Sequence, residues 1–411
     1  MEIDWKKIGL IALFVTAVAL FIFFLYFFFF RIFFAPPPSE PTNTNQLTNG
    51  TLPTTVNING QLITLTANGG LPSGLNINTG TELILSTPEI QETKTTLLTD
   101  KQAKFSTILD DGSVVFYDPT DGKFYRLSAT GQLTEYDSKV FYNVQNVNWS
   151  NGRDTAILEY PDGSNIFYDF ENNKQITLPN HWEDFDFSPT DQQIAFKSIG
   201  LDVENRFLAI ARVDGSGSKT LERIGGVENQ FDVNWSPNNQ MVATFYEYRD
   251  ADRSNIYFVG QNNENFKLMI TEGRGFVGEW SPEGNHMLYS VYSSNSEYKP
   301  ELWITNSSAN TIGDNRHSID LQTWADKCSF ASTEIVYCAV PKSLPFGIGL
   351  DRDEANSIAD NIYRINLETG VKQLVATPAG NHNINQIIIT NNLNQLYFTD
   401  SNTNEIYQIE L

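Results

Sequence analysis

The sequence has few of the residues that bind metals and polyanions. Its 411 residues include two cysteines and four histidines, and 27 basic residues stand against 49 acidic ones, a formal net charge of −22. We expect no nucleic-acid binding, because such binding needs a basic surface that displaces counterions. Two thiols without neighbouring histidines also fall short of the four ligands of a structural zinc site. The composition therefore predicts no metal and no cofactor.

Sequence motifs of catalysis are missing as well. There is no G-x-S-x-G elbow, which would carry the nucleophile of an α/β-hydrolase. The repeated S-x-D-x-G-x-T-W turns of sialidases are also absent. These absences predict a protein that is not an enzyme.

Long apolar runs are absent except at the N-terminus. Residues 8–30 carry no charged side chain, and as a helix they would exceed the roughly 30 Å hydrocarbon core of a bilayer. We predict a transmembrane helix over residues 8–34 after a cytoplasmic stub of residues 1–7. Lys6 and Lys7 precede this helix, Arg31 lies near its other end, and the next basic residue is Lys94. This distribution predicts a cytoplasmic N-terminus and an extracytoplasmic remainder.

A cleaved signal peptide is the competing interpretation of this segment. Its apolar region would be shorter and would end in a small-x-small cleavage site. Residues 35–55, rich in Pro, Thr and Asn, predict a flexible linker. Residues 56–80 predict a β-hairpin or a further linker segment, because Asn59-Gly60 stands between alternating apolar residues. Residues 81–411 remain for one folded domain.

Seven similar units occupy that domain. Each begins with an apolar or aromatic anchor residue before a polar turn, at intervals of roughly 40 to 60 residues, close to the length of a four-stranded propeller blade. The anchors are Ile108, Trp149, Phe187, Trp235, Trp280, Phe330 and Ile389. A short apolar strand follows each turn, and further strands show bulky residues at alternate positions. The sequence therefore predicts an all-β fold, a seven-bladed β-propeller with an N-terminal transmembrane helix.

The seventh unit ends at Leu411, directly after its third strand. An unpaired outer edge would invite aggregation, so we expect a strand from before the first unit to complete the last blade. Two strand-like segments qualify, residues 81–86 and residues 95–98.

The repeat resembles a known family. Residues 280–289 follow the pattern W-S-P-[DN]-G-x-x-[IVM]-[AL]-[FY] except for Glu283 at its fourth position, and residues 362–370 follow I-Y-x-[IV]-[ND]-x-x-[TS]-G. Both patterns look like the TolB-like, or WD40-like (PD40), propeller repeat. The residues around Cys328 and Cys338 also resemble those of single-anchor bacterial envelope propellers. The resemblance implies a propeller and leaves the activity open, since such repeats occur in periplasmic scaffolds and in gating domains of peptidases.

Cys328 and Cys338 are predicted to lie on the first two strands of the sixth unit. A turn near residues 332–334 would place them opposite each other in an antiparallel pair, within reach of a disulfide after local twist. An extracytoplasmic location permits oxidation. We predict a structural disulfide, with two buried free thiols as the alternative.

The sixth unit carries the longest insertion, residues 342–360. We predict that it exposes apolar and acidic side chains, which form a candidate partner-binding loop: Leu344, Phe346, Ile348, Leu350, Asp351 and Asp353. Long loops on one face of a rigid ring are often binding elements. The competing interpretation is a loop that folds over its own blade.

These features predict a membrane-anchored, extracytoplasmic scaffold or adaptor that binds another envelope or surface protein without catalysis. The acidic composition would suit a basic partner. The alternative is a glycan-binding protein or a carbohydrate-active enzyme that uses acidic residues at the mouth of the propeller channel. The sequence does not determine the oligomeric state.

Overall fold

The computed structural model describes residues 92–389 and 395–411, four residues near the N-terminus and two short strands. The chain divides into two compact units, Met1–Leu85 and Ser86–Leu411. In the first unit, β1 (Thr55–Ile58) pairs with β2 (Gln61–Thr64). The predicted stub, residues 35–54 of the linker, Lys6, Lys7, Arg31, Asn59, Gly60 and most of residues 8–34 lie outside the described residues. No described helix is long and apolar enough to cross a bilayer.

The second unit consists of seven four-stranded antiparallel sheets, which we number as blades 1 to 7. The strands of blades 1 to 4 follow β3 (Thr95–Thr99) in chain order. Blade 1 contains β4 (Lys104–Ile108), β5 (Val114–Asp118), β6 (Lys123–Leu127) and β7 (Leu133–Glu135), and blade 2 contains β8 (Asn146–Trp149), β9 (Thr155–Glu159), β10 (Asn165–Asp169) and β11 (Lys174–Leu178). Blade 3 contains β12 (Trp182–Phe187), β13 (Gln193–Ile199), β14 (Arg206–Arg212) and β15 (Lys219–Arg223), and blade 4 contains β16 (Phe231–Val233), β17 (Met241–Tyr248), β18 (Ser254–Gly260) and β19 (Met269–Thr271).

The remaining blades follow the same plan. Blade 5 contains β20 (Arg274–Trp280), β21 (His286–Tyr292), β22 (Glu301–Asn306) and β23 (His317–Ser318). Blade 6 contains β24 (Cys328–Phe330), β25 (Ile335–Pro341), β26 (Asp360–Asn366) and β27 (Lys372–Ala376), and blade 7 contains β28 (Ile384–Ile389), β29 (Gln395–Asp400) and β30 (Ile406–Glu410). Short 3-10 helices lie at Val203–Asn205, Glu228–Gln230, Ser294–Ser296, Ala325–Lys327 and Arg352–Ser357. The predicted seven-bladed propeller is confirmed, and each anchor residue lies at or just after the end of its blade's first strand.

Ring closure follows the prediction. Blade 7 has the order β28-β29-β30-β3, so its outermost strand comes from before blade 1. The register pairs Thr95 with Ile409 and Leu97 with Tyr407. Of the two predicted donors, residues 95–98 therefore complete the blade, and residues 81–86 lie outside the described part of the chain.

The Ser-Pro dipeptide of the repeat has a local physical role. In blade 4 the buried Ser236 hydroxyl accepts hydrogen bonds from the backbone N–H groups of Gln240 and Met241, at 3.1 and 2.9 Å. Ser188 and Ser281 make equivalent bonds in blades 3 and 5. The serine thus satisfies backbone donors that a tight turn would leave unpaired inside the protein.

The indole groups of two of the three anchor tryptophans join neighbouring blades. Trp149 Nε1 of blade 2 donates to the Phe105 carbonyl of blade 1 at 2.7 Å, and Trp280 Nε1 of blade 5 donates to the Asn234 carbonyl of blade 4 at 3.2 Å. The apolar core likewise lies between sheets: Ile157 of blade 2 packs in one cluster with Phe187 and Ile194 of blade 3. First strands contact one another between blades 1 and 2, 2 and 3, 3 and 4, and 6 and 7, as expected of strands that surround the axis of a ring.

Candidate functional site

The insertion of blade 6 runs from the end of β25 to the start of β26, and we call residues 342–359 the blade-6 loop. Phe346 and Leu350 are 72% and 63% exposed. Asp351 and Asp353 are exposed as well. The prediction that Ile348 faces solvent is wrong, because this side chain is 1% exposed.

Ile348 anchors the loop to its own blade. It packs with Trp324 and Ala355 in a small apolar cluster, and Leu344, also predicted to be exposed, is half-buried against the same cluster. The loop therefore combines both sequence interpretations: Ile348 and Leu344 fold over the blade, while Phe346 and Leu350 face solvent.

Blade 5 fixes the tip of the loop. The Gly347 N–H donates to the Glu297 carbonyl at 2.9 Å, and the Gly349 N–H donates to the Tyr298 carbonyl at 2.7 Å. A Cβ at Gly349 would lie 2.6 Å from that carbonyl oxygen, so only glycine allows this close approach. The Phe346 ring meets the Tyr298 ring edge to face, with 5.8 Å between centroids.

The second half of the loop is a 3-10 helix, Arg352–Ser357. The Asp351 carboxylate caps its start by accepting a hydrogen bond from the Asp353 N–H at 3.3 Å. Arg352 donates to both carboxylate oxygens of Asp326, at 2.6 and 3.0 Å. Asn383 of blade 7 donates to the carbonyls of Ala355 and Ile358, both at 2.9 Å. Blades 5, 6 and 7 therefore all hold the loop.

Two linkages support the base of the loop. Cys328 and Cys338 face each other across β24 and β25 and form a disulfide. The Lys327 ammonium lies 2.9 and 2.8 Å from the two oxygens of Asp360, and both side chains are buried. Asp360 also accepts the Ile384 N–H of blade 7 at 2.6 Å. Burial lowers the pKa of Lys327, while Asp360 acts against this shift.

A polar cavity of about 240 Å³ lies beneath the blade-6 loop, with Lys327, Arg352, Asn383 and Ser401 in its lining. Its two basic groups already pair with Asp360 and Asp326. No local pattern in the sequence marks the Lys327–Asp360 pair, because only the fold brings these residues together. The charges in this cavity are therefore matched, and the lining leaves no free ionic group to hold an ion.

Carboxyl groups on the first strands form a second candidate site near the ring axis. Burial raises the pKa of Asp186 to about 7 and that of Glu279 to about 8. The pKa of Asp232 is raised by partial burial among the first strands, although its side chain reaches solvent. Asp186 accepts backbone N–H groups of Trp235 and Phe187, at 2.6 and 2.8 Å, so it also joins blades 3 and 4.

Glu279 differs from Asp186 in its surroundings. The carboxyl makes no hydrogen bond within the described chain, and the charges of Asp326, Asp232 and Asp186 add to the effect of burial on its pKa. Water still reaches part of the side chain, as expected of a group that lines a channel. A carboxyl that stays protonated near neutral pH is suited to donate a proton or a hydrogen bond. The sequence suggests acidic channel residues as an alternative but does not mark which residues they are.

Solved structures share this fold at low sequence identity. The Cps50 (Swd1) β-propeller domain of Myceliophteria thermophila is 10% identical with a TM-score of 0.51, and the match covers 77% of this chain and 99% of that chain. Oligogalacturonate lyase of Vibrio parahaemolyticus is 12% identical with a TM-score of 0.48, covering 79% and 94%. Tricorn protease is 9% identical with a TM-score of 0.48, and the match covers 78% of this chain and 34% of the tricorn chain.

No family model matches the sequence, and no curated protein matches it either. At these identities the structural likeness shows the fold alone: the chain is a seven-bladed β-propeller. Its function has to be argued from its own residues.

Proposed function

We propose that the protein is a membrane-anchored, extracytoplasmic propeller that binds another envelope protein through the blade-6 loop as a scaffold or adaptor, without catalysis. The observation that carries this proposal is the exposure of Phe346 and Leu350 on a loop that the Gly347 and Gly349 hydrogen bonds hold to blade 5. Burying one such side chain in an interface contributes about 1.5–3 kcal/mol to the free energy of binding. Since the loop is already ordered, little of that free energy is lost on binding.

The electrostatics of the loop favour a basic partner. Asp353 and Glu354 are exposed and form no ion pair with the described residues, and the whole chain is strongly acidic. Lys or Arg residues around an apolar contact on the partner would meet complementary charge, which mainly raises the association rate. We therefore expect binding to weaken at high ionic strength.

Photo-crosslinking in cells tests the loop. A crosslinking amino acid at position 346 should capture a defined partner, and Leu350→Ser in the same chain should reduce this capture by about tenfold. The matched control is a crosslinker at Tyr142, a comparably exposed aromatic residue outside the loop. Equal capture from positions 346 and 142, or no effect of Leu350→Ser, would rule out the loop as the binding element.

The anchor is tested separately from the loop. Residues 8–34 are proposed to span the membrane, with Lys6 and Lys7 inside and Arg31 near the outer surface. Protease added to intact spheroplasts should then degrade the propeller and spare a tag placed before residue 1. Survival of the propeller in that experiment would show that the orientation is wrong.

The raised pKa values of Asp186 and Glu279 favour a second candidate function, glycan binding or hydrolysis at the channel. In that case Glu279 would act as the proton donor. Binding to a glycan panel and hydrolysis of labelled oligosaccharides should then be lost in Glu279→Gln and remain in Leu350→Ser. Absence of glycan binding by the native chain would leave the scaffold proposal alone.

A further inference from the structure

Blade 4 has an incomplete outer edge. Its third strand, β18, runs from Ser254 to Gly260, but the fourth strand, β19, pairs only with Ser254, Asn255 and Ile256. Within the described chain, the outer side of residues 257–260 has no strand partner. This half of β18 therefore presents the backbone groups of an open sheet edge.

The other blades close the corresponding edge. In blade 2, β10 pairs with β11 over its whole length. In blade 5, where β23 is shorter than β19, the Asn306 N–H donates to the Asp314 carbonyl and the Gly313 N–H donates to the Asn306 carbonyl, both at 3.0 Å. In blade 6 the Asn366 N–H donates to the Val371 carbonyl at 2.9 Å. Among these, blade 4 alone leaves the end of its third strand open.

An apolar cavity of about 320 Å³ lies beside this open edge, between blades 3 and 4. Its floor is a row of rings across the sheet: Phe231 stacks on Phe245 with 4.6 Å between centroids, and Phe245 meets Tyr257 at 5.6 Å. Leu221 and Val227 complete the apolar lining. Val227 is 42% exposed and Tyr257 is 37% exposed, so the cavity opens to solvent next to the unpaired backbone.

The rim of the cavity is acidic. Glu222 and Glu264 line it and form no ion pair with the described residues, whereas Arg223 pairs with Glu204 at 3.1 Å. The Lys219 ammonium donates to the Gln261 carbonyl at 2.7 Å. Against the effect of burial, hydrogen bonds from Asn262 and the charge of Lys219 lower the pKa of Glu264. Two carboxylates against this one ammonium still leave the rim net negative, which favours positive charge in whatever binds here.

We propose that the outer edge of blade 4 binds an extended peptide segment of another protein as an added β-strand. The peptide backbone pairs with residues 257–260, one apolar side chain enters the cavity, and a flanking Lys or Arg lies near Glu222 and Glu264. Strand addition of this kind takes affinity from main-chain hydrogen bonds and specificity from pockets for alternate side chains. This site is separate from the blade-6 loop and does not depend on the function proposed for it.

Two other occupants fit the same features less well. A small apolar molecule would fill the cavity and leave the open backbone edge unpaired. A second copy of this chain would bring together two molecules that each carry a net charge of −22, which opposes association. A basic extended peptide satisfies the backbone, the cavity and the charge together.

The probe is a set of synthetic ten-residue peptides with a central Val-Leu-Val flanked by lysines, measured by fluorescence anisotropy on the full chain. We expect micromolar binding, and Val227→Ser should weaken it by about tenfold. Leu374→Ser is the matched control, because Leu374 is 41% exposed on the fourth strand of blade 6, which pairs with the third strand from Ile362 to Ile365. Equal effects of the two substitutions, or no binding by any peptide, would overturn the proposal.

Three further measurements separate the alternatives. N-methylation of alternate peptide amides should abolish binding, and unchanged binding would mean that the cavity alone is recognised. Glu222→Lys should weaken binding of the lysine-flanked peptides and strengthen binding of peptides in which aspartates replace the lysines. Hydrogen exchange should show new protection at residues 257–260 when peptide is added. Protection at the blade-6 loop instead, or a dimer without peptide in sedimentation, would show that the proposal is wrong.

Discussion

At the scale of single residues, the repeat works by satisfying buried backbone groups. Ser236 accepts two N–H groups while its own hydroxyl donates to the Asn238 side chain at 2.8 Å. Trp149 and Trp280 reach across blade boundaries in the same way. A short Trp-Ser sequence, Trp149-Ser150 in blade 2 and Trp280-Ser281 in blade 5, therefore carries both a turn and a link between sheets.

We expect Ser236→Ala to lower the free energy of unfolding by about 1–3 kcal/mol, because the Met241 N–H would be left buried without an acceptor. Urea denaturation followed by tryptophan fluorescence measures this change. Ser216→Ala is the control, since Ser216 is exposed in the turn between β14 and β15. A loss of stability as small as that of the control would show that water accepts the Met241 N–H in the variant.

Glu279 gives a pH-dependent prediction. Its pKa is about 8 in the folded protein and near 4.5 when unfolded, so the folded state holds the proton more tightly. Stability should therefore be highest at low pH as far as this group is concerned, and should fall as the pH rises from about 4.5 to about 8. Glu279→Gln should remove this loss.

The variant should be about 1–2 kcal/mol more stable than the native protein at pH 9, less than the pKa shift alone would give because water reaches the side chain. At about pH 3.5, below the unfolded pKa, the two proteins should be equal. Thermal unfolding at both pH values checks this. A constant difference across pH would mean that the substitution acts through packing rather than through the charge.

At the scale of secondary-structure elements, the strands could be predicted and their long-range contacts could not. The anchors Ile108 to Ile389 locate the first strand of each blade, because turn residues and alternating apolar positions are local signals. The burial of Ile348 depends on Trp324 and Ala355, which only the fold brings beside it. The open edge of β18 likewise depends on where β19 stops pairing, and no local signal marks that point.

The disulfide between Cys328 and Cys338 is predicted to stabilise the hairpin that carries the blade-6 loop. Replacing both cysteines by serine should lower the free energy of unfolding by about 2–3 kcal/mol, mainly because the unfolded chain regains freedom. Thiol labelling of the native protein should modify neither residue until a reductant is added. Labelling without reductant would show that the thiols are free.

At the scale of the whole molecule, stability depends on closing the ring. The first and last strands of the domain, β3 and β30, are neighbours in blade 7, so residues far apart in the chain complete one sheet. Closure by an upstream strand could be predicted from the missing fourth strand of the last unit. Which of the two candidate segments supplies it could not, since both have the composition of an edge strand.

Deletion of β3 tests this dependence. A chain of residues 103–411 should lose several kcal/mol of stability, since it loses a strand's worth of backbone hydrogen bonds at about 1 kcal/mol each and the apolar contacts of Leu98. It should also self-associate, because the edge of β30 becomes unpaired. A chain of residues 92–411 is the control and should unfold like the native domain. Equal stability and a monomeric state for both chains, measured by urea denaturation and sedimentation, would show that the ring holds without its closing strand.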